Sequence, residues 1–499
     1  MAKFKRYDYS QKVLIPVSLQ QQLVPGSLEF AIHTLIETRM DMSVFEGNYK
    51  NDVVGRSAYD PKILLKVVLL GYARGLISSR DIERACCENV TFMALSGNQR
   101  PDHSTIAAFV SSMKDQILYL YCDILLVCEQ ENLLGGTFFA LDGLKLPSNA
   151  SKESSGTVAD LKRKRRKIRH KVKRLLKDQI DADKGDDDFP HPPNREQQID
   201  KLNKQADRIE KWLKENDAKI GVNKKELHSN VTDNDSAKMH TAHGTVQGYN
   251  AQALVDSKHQ VIVHGEAIGK GLDNDNLAPV VDGAKKNFKR IGKGADYFKG
   301  KILTADSSYH SVTNIGKCNE EKLDAYIPDN KFRNRDKRFA TRVGYRPRSK
   351  KFTFADFQYD GGQDEYICPN GSRLKRLGKA GRHKGKLLRR YVSIEADCRS
   401  CRLRAKCLQN TDAKRRHLTY YADTSGKNIS QAMVQKIETH KGRKIYPKRI
   451  GIVEPVFANI RAHKAMNKFT LRGKIKVNIQ WLLYCMVHNI EKIANYGFT

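Results

Sequence analysis

The chain of 499 residues is too long for one compact core, and with 39% hydrophobic residues it can bury roughly two to four structural units. Its 89 Lys and Arg residues outnumber 56 Asp and Glu residues, which gives a formal net charge of +33 at pH 7. A field of that size attracts polyanions, so we expect nucleic acid as the partner. A membrane partner is excluded, because the best apolar run, residues 117–128, is interrupted by Asp123 and leaves no spanning helix.

The first residues, MAKFKRYDYSQ, lack the hydrophobic region of a secretion signal. We therefore expect a cytoplasmic, nucleoid-associated protein. In that compartment the ten cysteines should be reduced thiols or metal ligands.

Residues 1–134 predict a helical N-terminal domain that binds DNA. A first helix is expected over residues 61–72, and a second begins where Ser78 and Asp81 have the spacing of a capping box. A third helix should follow the break at Pro101–Asp102 and could run to the glycines at 135 and 136. Short helices joined by tight turns are typical of helix-turn-helix DNA readers, and a plain helical bundle is the alternative.

Two short apolar runs each lead into an aspartate. Residues 137–141 form one predicted strand that ends on Asp142, and residues 302–305 form another that ends on Asp306. Between them, residues 244–268 alternate apolar and polar, which predicts a pair of antiparallel strands. A buried strand can deliver a carboxylate at its tip, although many turns also place Asp there.

Residues 159–222 change composition abruptly and predict a helical hairpin broken by a proline-rich loop. Eleven Lys and Arg residues and no acid lie between Lys162 and Lys177. One face of this helix should pack against the second helix through the stripe Leu161, Ile168, Val172, Leu175 and Ile180. The basic residues, among them Lys162, Arg163, Arg165 and Arg166, are expected to bind phosphates, and a solvated helix face is the alternative.

Residues 330–440 form a basic insertion with cysteines of its own. Cys398 and Cys401 have the spacing of a metal-binding knuckle, and Cys368 and Cys407 add two further thiols. A single structural zinc ion with four thiolate ligands is one interpretation. Reduced thiols in a small loop-rich subdomain are the other.

The stretch from Tyr446 to Gly473 carries a third acid among cations. Glu454 precedes a proline, which predicts a helix start, and Arg461 lies two turns further on the same face. Tyr446 and Arg449 lie just upstream of this carboxylate. One carboxylate surrounded by cations suits a metal ion that acts on a phosphodiester, and a surface ion-pair network is the alternative.

Taken together, these segments resemble the DDE transposases of bacterial insertion sequences, in the branch whose third acid lies in a Tyr-Arg-Glu-Lys signature. The resemblance covers most of the chain. It rests on LDG around Asp142, GYN at 248–250, TADSSY around Asp306, YICPNG around Cys368, VEPVFANIR around Glu454, and the RG that precedes the last helix.

The resemblance implies an α/β fold with a ribonuclease H-like core, a mixed sheet with flanking helices formed by residues 135–158, 223–329 and 441–499. This core would follow the helical domain (1–134) and be interrupted by the hairpin insertion (159–222) and the cysteine-bearing insertion (330–440). The implied catalytic and metal-binding residues are Asp142, Asp306 and Glu454, which would hold two Mg²⁺ or Mn²⁺ ions.

The signature itself maps onto Tyr446, Arg449, Glu454 and Arg461. The sequence departs from it twice, because one extra residue separates Arg449 from Glu454 and because Arg461 replaces the expected lysine. The expected partners are double-stranded DNA at the element's ends and in the target, bound by a homodimer. The reaction would be phosphodiester hydrolysis followed by strand transfer.

Two alternatives stay open. A nuclease or junction resolvase on the same core would cut strands without joining them, and fold alone does not exclude it. A domesticated DNA-binding protein without catalysis is the second alternative, although all three acids are present here.

Overall fold

The computed structural model of the protein describes residues 18–49, 57–184, 194–221, 224–241, 244–341, 351–378, 381–383, 386–408, 410, 412–421 and 425–497. Its contacts divide the chain into two units. The first comprises Met1–Thr304, Glu321–Asp324 and Pro447–Thr499, and the second comprises Ala305–Glu320 and Ala325–Tyr446. None of the described helices is long and apolar enough to cross a bilayer.

The N-terminal part of the first unit is helical where it is described. Its helices are α1 (Leu28–Thr38), α2 (Pro61–Ala73), α3 (Ser79–Glu88), α4 (Val90–Leu95), α5 (His103–Ser112) and α6 (Ile117–Gln130). The predicted helix over 61–72 is confirmed as α2, and Ser78 caps α3 by accepting the N–H of Asp81 at 3.2 Å.

The predicted third helix is wrong in one respect, because the chain turns at residues 113–116 and forms α5 and α6 instead of one long helix. At the break, Lys114 N–H bonds to the carbonyl of Ser112, which no α-helix allows. Gln116 is buried there and its side-chain amide donates to the carbonyl of Val44 at 3.3 Å. A tertiary contact therefore ends the helix where local periodicity predicts continuation.

The rest of the first unit is a sheet with a helical hairpin and a long C-terminal helix. In chain order its elements are β1 (Phe138–Pro147), β2 (Ser155–Gly156), α7 (Val158–Lys184), α8 (Arg195–Glu215), β3 (Ser229–Asn230), β4 (Ala237–Thr241), β5 (Gly244–Asp256), β6 (Ile262–Ile268), α9 (Leu277–Arg290) and β7 (Ile302–Ala305). The chain continues with α10 (Val312–Glu320), which belongs to the second unit, and β8 (Asp324–Tyr326), which begins in the first unit and ends in the second. The strand order is β4-β5-β1-β7-β8, and β6 also pairs with β5.

β1 and β5 form the centre of this sheet. They pair antiparallel from Phe139 opposite Asp256 to Pro147 opposite Gly248, and the predicted antiparallel pair β5–β6 is confirmed. The prediction that the first strand ends on Asp142 is wrong, because β1 continues for five residues beyond it. Gly143 and Lys145 interrupt the apolar run after Asp142 and hid this continuation.

The helical hairpin is present as α7 and α8, while its predicted proline-rich loop lies outside the described residues. The hairpin has a small core of Leu161, Ile168, Ala206, Ile209 and Trp212. Val172 is buried as predicted, but Ile180 is 53% exposed and does not extend the stripe. The domain boundaries given above remain predictions.

The second unit carries a sheet of its own. After α11 (Phe332–Arg335) the elements are β9 (Gln358–Asp360), β10 (Glu365–Ile367), β11 (Arg373–Arg376), β12 (Gly381–His383), β13 (Lys386–Ser393), α12 (Glu395–Arg399), α13 (Arg404–Cys407), β14 (His417–Tyr421), α14 (Ser425–Glu438) and α15 (His440–Ile445). The strand order is β12-β13-β11-β10-β9, with β14 paired to β13, and the core contains Phe357, Tyr366, Leu374, Tyr391 and Leu418.

The chain returns to the first unit with α16 (Lys448–Ala458), a π-helical turn (Asn459–His463) and α17 (Lys474–Tyr496). α17 is the predicted last core helix. Its Trp481 is fully buried, and the indole N–H donates to the carbonyl of Gln252 in β5 at 3.0 Å.

Gly248 allows the ends of β1 and β5 to approach closely. A Cβ at this position would lie 2.0 Å from the carbonyl oxygen of Leu146, which is main chain and unable to rotate away. We predict that Gly248→Ala lowers the free energy of unfolding of the first unit by about 1–3 kcal/mol or more. The fluorescence of Trp212 and Trp481, the chain's two tryptophans, reports on this unit during urea unfolding.

The matched control is Gly451→Ala in α16, where an added Cβ meets no atom within 4 Å. It should be neutral or stabilising by up to about 1 kcal/mol, because alanine favours helices. Equal unfolding midpoints for Gly248→Ala and wild type would show that the strand ends can separate without cost.

Candidate active site

Asp142 lies in the middle of the central strand of the first unit. It is paired with Ala253 of β5, and its Oδ1 accepts the N–H of Gly143 at 2.8 Å. Its Oδ2 accepts a hydrogen bond from Nη1 of Arg449 at 2.6 Å, and the side chain remains 23% exposed. The carboxylate is therefore held through both oxygens and still reaches solvent.

Arg449 is delivered by the first turn of α16. Arg449 lies on the buried side of this helix, and only 7% of its side chain is exposed. The apolar residues on that side are Ile452, Val453, Val456 and Phe457, followed by Ile460 in the π-helical turn. A guanidinium buried to this extent needs a paired carboxylate, because an unpaired charge away from water is costly. The sequence predicts Arg449 beside Glu454, whereas the structure pairs it with Asp142, 307 residues earlier.

Glu454 is not at a helix start, which corrects the sequence-based prediction. It is an exposed residue in the middle of α16, and Pro455 lies inside the helix. A proline there leaves the carbonyl of Gly451 without its helical donor. The side chain of Gln260 replaces that donor, because its Nε2 lies 2.9 Å from the carbonyl oxygen of Gly451. A distant amide thus allows the helix to pass through Pro455.

Arg461 lies in the π-helical turn that follows α16 and is exposed. It lines a shallow pocket of about 400 Å³ together with Leu144, Phe457, Ala458, Ala462 and Asn467. Leu144 is two residues beyond Asp142 in β1, so both side chains are on the same face of the sheet. Arg461 is therefore placed on the face that carries Asp142.

Asp306 is described within the second unit. It follows β7, and its side chain accepts the N–H of Ser307 at the start of a short 3-10 turn. Asp306 and Tyr446 line one pocket of about 320 Å³, together with Ser307, Pro328, Asp329, Asn330, Phe332, Arg333 and Asn334. Tyr446 is fixed edge-on against the ring of Phe332, with ring centroids 5.5 Å apart.

Sequence reasoning missed the residues that join Asp306 in this pocket. Arg333 lies within the predicted insertion 330–440, and the signal that could have found Asp329 is the PDN segment at 328–330, shortly after β8. Asp329 accepts two hydrogen bonds from Arg335, at 2.5 and 2.9 Å, and Arg335 also donates to Glu438 at 2.7 Å. Burial alone would raise the pKa of Asp329, but Arg335 outweighs this and lowers it.

Gly143 of the LDG segment faces the side chain of Asn250 of the GYN segment, which leaves no room for a larger residue at position 143. A Cβ on Gly143 would lie 2.2 Å from Nε2 of Gln252 and 2.5 Å from Oδ1 of Asn250. Both of those amides donate to Oδ1 of Asp273, at 3.1 and 2.5 Å. Gly143 therefore leaves the room that this buried polar cluster needs.

The predicted phosphate-binding residues of α7 are only partly available. Lys162, Arg163 and Arg166 are exposed, but Arg163 pairs with Asp160, and Arg165 lies 3.6 Å from Glu210 of α8. Further along the chain, Lys464 is fully buried and its Nζ lies 2.6 Å from Glu491. Lys464 is therefore paired inside the fold.

The four predicted zinc ligands lie half-buried in the second unit. Burial raises the pKa of the Cys407 thiol, Arg416 opposes the rise, and the thiols of Cys398, Cys368 and Cys401 add to it, which places all four within electrostatic reach. Within the described part of the chain, however, no group of three or more His, Cys, Asp or Glu side chains is arranged to hold a metal ion.

Two family models match separate parts of this chain. One, described as "Transposase DDE domain", matches residues 367–494, and the other, described as "Transposase domain (DUF772)", matches residues 17–112. The first match contains Tyr446, Arg449, Glu454 and Arg461 but neither Asp142 nor Asp306. Neither curated proteins nor solved structures gave a match.

The N-terminal helices and the C-terminal part of the chain therefore both resemble parts of transposases, proteins that act on DNA. More particularly, the two matches support a DDE-type transposase of an insertion sequence. The mixed α/β architecture of the chain is compatible with that class.

The pair formed by Arg449 and Asp142 should link α16 to β1 energetically. We predict that Arg449→Met lowers the free energy of unfolding of the first unit by roughly 1.5–3 kcal/mol, because it leaves a carboxylate without its charged donor. In the double variant Arg449→Met/Asp142→Asn the loss should be smaller than the sum of the two single losses. Urea unfolding of the four proteins gives this coupling energy, and strictly additive losses would contradict the pair.

Proposed function

We propose that this transposase binds the ends of its insertion sequence, cuts phosphodiester bonds there and joins the freed strand to target DNA. The observation that carries the proposal is the contact of Arg449 with Asp142, because it brings the helix that bears Glu454 onto the strand that bears Asp142. Asp306 directly follows β7, the neighbour of β1 in the sheet order. The order β1, β7, α10, β8 and a late helix supports a ribonuclease H-like core.

Asp142, Asp306 and Glu454 are proposed as the ligands of two Mg²⁺ or Mn²⁺ ions. Their carboxylate oxygens are the donors that these hard cations prefer, and Asp142 and Asp306 are each fixed by a main-chain N–H. When bound, two such ions supply an activated water or 3′-hydroxyl and stabilise the departing oxygen.

The remaining residues of the signature act on phosphates and on the carboxylate. Arg449 neutralises and orients Asp142, so that strand β1 can hold an acid beside a cationic surface. Tyr446 offers a hydroxyl and Arg461 a guanidinium for phosphate oxygens next to the bond that is cut. Arg333, exposed in the pocket that contains Asp306, adds a further candidate for phosphate binding.

Assignment to the branch with the Tyr-Arg-Glu-Lys signature is part of this proposal. It is supported by the shared pocket of Tyr446 and Asp306 and by the contact of Arg449 with Asp142. If Glu454 is not the third ligand, the neighbouring candidate is Glu438, which Arg335 engages at 2.7 Å.

The proposal includes double-stranded DNA as partner, a homodimer in the DNA complex, and a cytoplasmic, nucleoid-associated location. The helices α1–α6 and the basic face of α7 would contact the element's ends. A nuclease or resolvase that cuts without joining is the competing function, and a DNA-binding protein without catalysis is the other. The separate N-terminal transposase domain favours the transposase over both.

The proposal predicts that Asp142→Asn, Asp306→Asn and Glu454→Gln each abolish cleavage and joining of DNA that carries the element's ends. Each substitution removes a charged oxygen ligand while it keeps the shape of the side chain. Binding of the same DNA in metal-free buffer should stay near that of the wild type. A gel assay with labelled ends and Mg²⁺ measures nicked and joined products separately.

Glu88→Gln, which changes an exposed acid of α3, is the matched control and should retain activity. Cutting by the Glu454→Gln protein at a rate comparable to wild type would remove Glu454 from the site. Cutting without joining by the wild type would favour the nuclease.

We also propose that Cys368, Cys398, Cys401 and Cys407 bind one structural zinc ion. Cys368 lies in a tight turn closed by the N–H of Gly371 at 2.8 Å, which presents the thiol at the end of β10. The N–H of Leu403 donates to Sγ of Cys401 at 3.4 Å. Arg404 and Arg416 hold the carbonyls of Cys398 and Cys407, so the loops have fixed positions.

Protein purified without chelator should therefore contain about one zinc ion per chain by elemental analysis. The double variant Cys401→Ser/Cys407→Ser should lose it, while Cys87→Ser, a change of an exposed thiol in α3, should keep it. Zinc-free wild-type protein would refute the site, and zinc in the double variant would refute the ligand assignment.

A further inference from the structure

Three segments of the first unit surround a basic cleft of about 710 Å³. One wall is α8, the floor is the loop after β1, and the other wall is the segment that precedes α17. The cations that line it are Lys201, Lys204 and Arg208 of α8 and Lys468 and Arg472 of the opposite wall. All of the residues that line this cleft are described, and none of them is acidic.

The cations of α8 form a stripe that the fold leaves free for a ligand. Lys201, Lys204 and Arg208 recur at three and four residues, so they share one exposed face of the helix. The opposite face, which includes Ala206 and Ile209, is buried against α7. Lys204 lies 2.6 Å from Asp200, but both side chains are largely exposed and such a pair contributes little.

The opposite wall is held in place by buried contacts. Phe469 is fully buried, donates its N–H to the carbonyl of Pro147 at 2.8 Å, and meets the ring of Tyr249 edge-on. Beside it, Nε of Arg472 donates to the carbonyl of Asn149 at 2.5 Å, and the Asn149 amide donates to the carbonyl of Thr470 at 3.2 Å. Arg472 is therefore positioned at the rim before any ligand arrives.

The chemistry of the cleft selects a ligand with regularly spaced negative charges. Five cations with no acid in the lining attract phosphates. The hydroxyl of Thr470 accepts from Gln480 and can itself donate to a phosphate oxygen, whereas the hydroxyls of Ser151 and Thr232 already donate to Glu153 and Asn230. The aromatic residue of the lining, Phe469, is buried and offers no face on which a base could stack. These features fit a sugar-phosphate backbone and give no means of reading bases.

We propose that this cleft binds the backbone of duplex DNA without regard to sequence. The proposal rests on the proposed function in so far as DNA is the substrate, but it assigns the contact to α8 and the Lys468–Arg472 segment. None of the cleft residues is a proposed metal ligand or a residue of the Tyr-Arg-Glu-Lys signature. On α7, Arg163, Arg165 and Arg169 are close to acids of the same hairpin, as Lys204 of the cleft is to Asp200.

The test is the salt dependence of binding to a duplex of unrelated sequence, in buffer without divalent ions. Each phosphate contact contributes about 0.9 to the slope of log K against log salt. Lys204→Gln/Arg208→Gln should therefore flatten the slope by about two units, and Lys468→Gln/Arg472→Gln, from the other wall, should do the same. Lys211→Gln/Lys214→Gln removes equal charge from α8 outside the cleft and should change it little.

The outcomes separate the two proposals. Equal slopes for wild type and both cleft variants, with wild type bound, would overturn the cleft and leave the proposed function standing. Absence of binding by the wild type would contradict the proposed function itself. A third outcome is possible with the α7 variant Lys162→Gln/Arg163→Gln/Arg165→Gln/Arg166→Gln. If this variant flattens the salt slope and the cleft variants do not, the DNA contact lies on α7 and the cleft proposal is wrong.

Discussion

The antiparallel pairing of β1 with β5 is the constraint on which the first unit depends. The register runs from Phe139 to Pro147 without a break, so Asp142 cannot shift along its strand without moving every side chain of β1 to the other face. The glycines at 143 and 248 are part of this pairing, because a side chain at either position would collide with the neighbouring strand. A carboxylate in such a strand is positioned by the whole sheet rather than by a loop.

The ion pair of Arg449 with Asp142 connects helix α16, in the C-terminal part of the chain, to this pair of strands. Because the guanidinium is buried, it stays in place only while the carboxylate faces it, and α16 is thereby fixed on the sheet. α16 also contains Pro455, whose effect on the helix is offset by the amide of Gln260. Both contacts join residues far apart in sequence, and both hold the helix that presents Glu454 to solvent.

Much of the fold follows from patterns that are local in the sequence. The helix α2, the capped start of α3, the hairpin stripe of Leu161 and Ile168, and the β5–β6 pair all follow from spacing and turn chemistry. The errors occur where a distant group decides the local structure. Gln116 contacts Val44 at the point where α5 ends. Pairing with β5 extends β1 beyond Asp142, and the side chain of Gln260 bonds to the carbonyl that Pro455 leaves without a helical donor in α16.

The same distinction applies to the candidate site. The residues of the signature and the acids after apolar runs are visible in short sequence motifs, and their role in catalysis stays a prediction. Three other features could not be predicted, because each depends on which parts of the folded chain come into contact. They are the pairing of Arg449 with Asp142, the pairing of Lys464 inside the fold, and the cleft between α8 and the Lys468–Arg472 segment. The net charge of +33 predicts a polyanionic partner, but it does not show which Lys and Arg side chains are paired with acids within the protein.

The central claim is that Asp142, Asp306 and Glu454 hold divalent metal ions. Fe²⁺ can replace Mg²⁺ at carboxylate sites, and with peroxide and ascorbate it produces hydroxyl radicals that cut the nearby main chain. Mapping of these cuts by mass spectrometry should locate them in β1 around residue 142, after β7 around residue 306 and in α16 around residue 454, and excess Mg²⁺ should suppress all three. Cuts confined to other segments, or cuts that Mg²⁺ does not suppress, would contradict the assignment of the metal site.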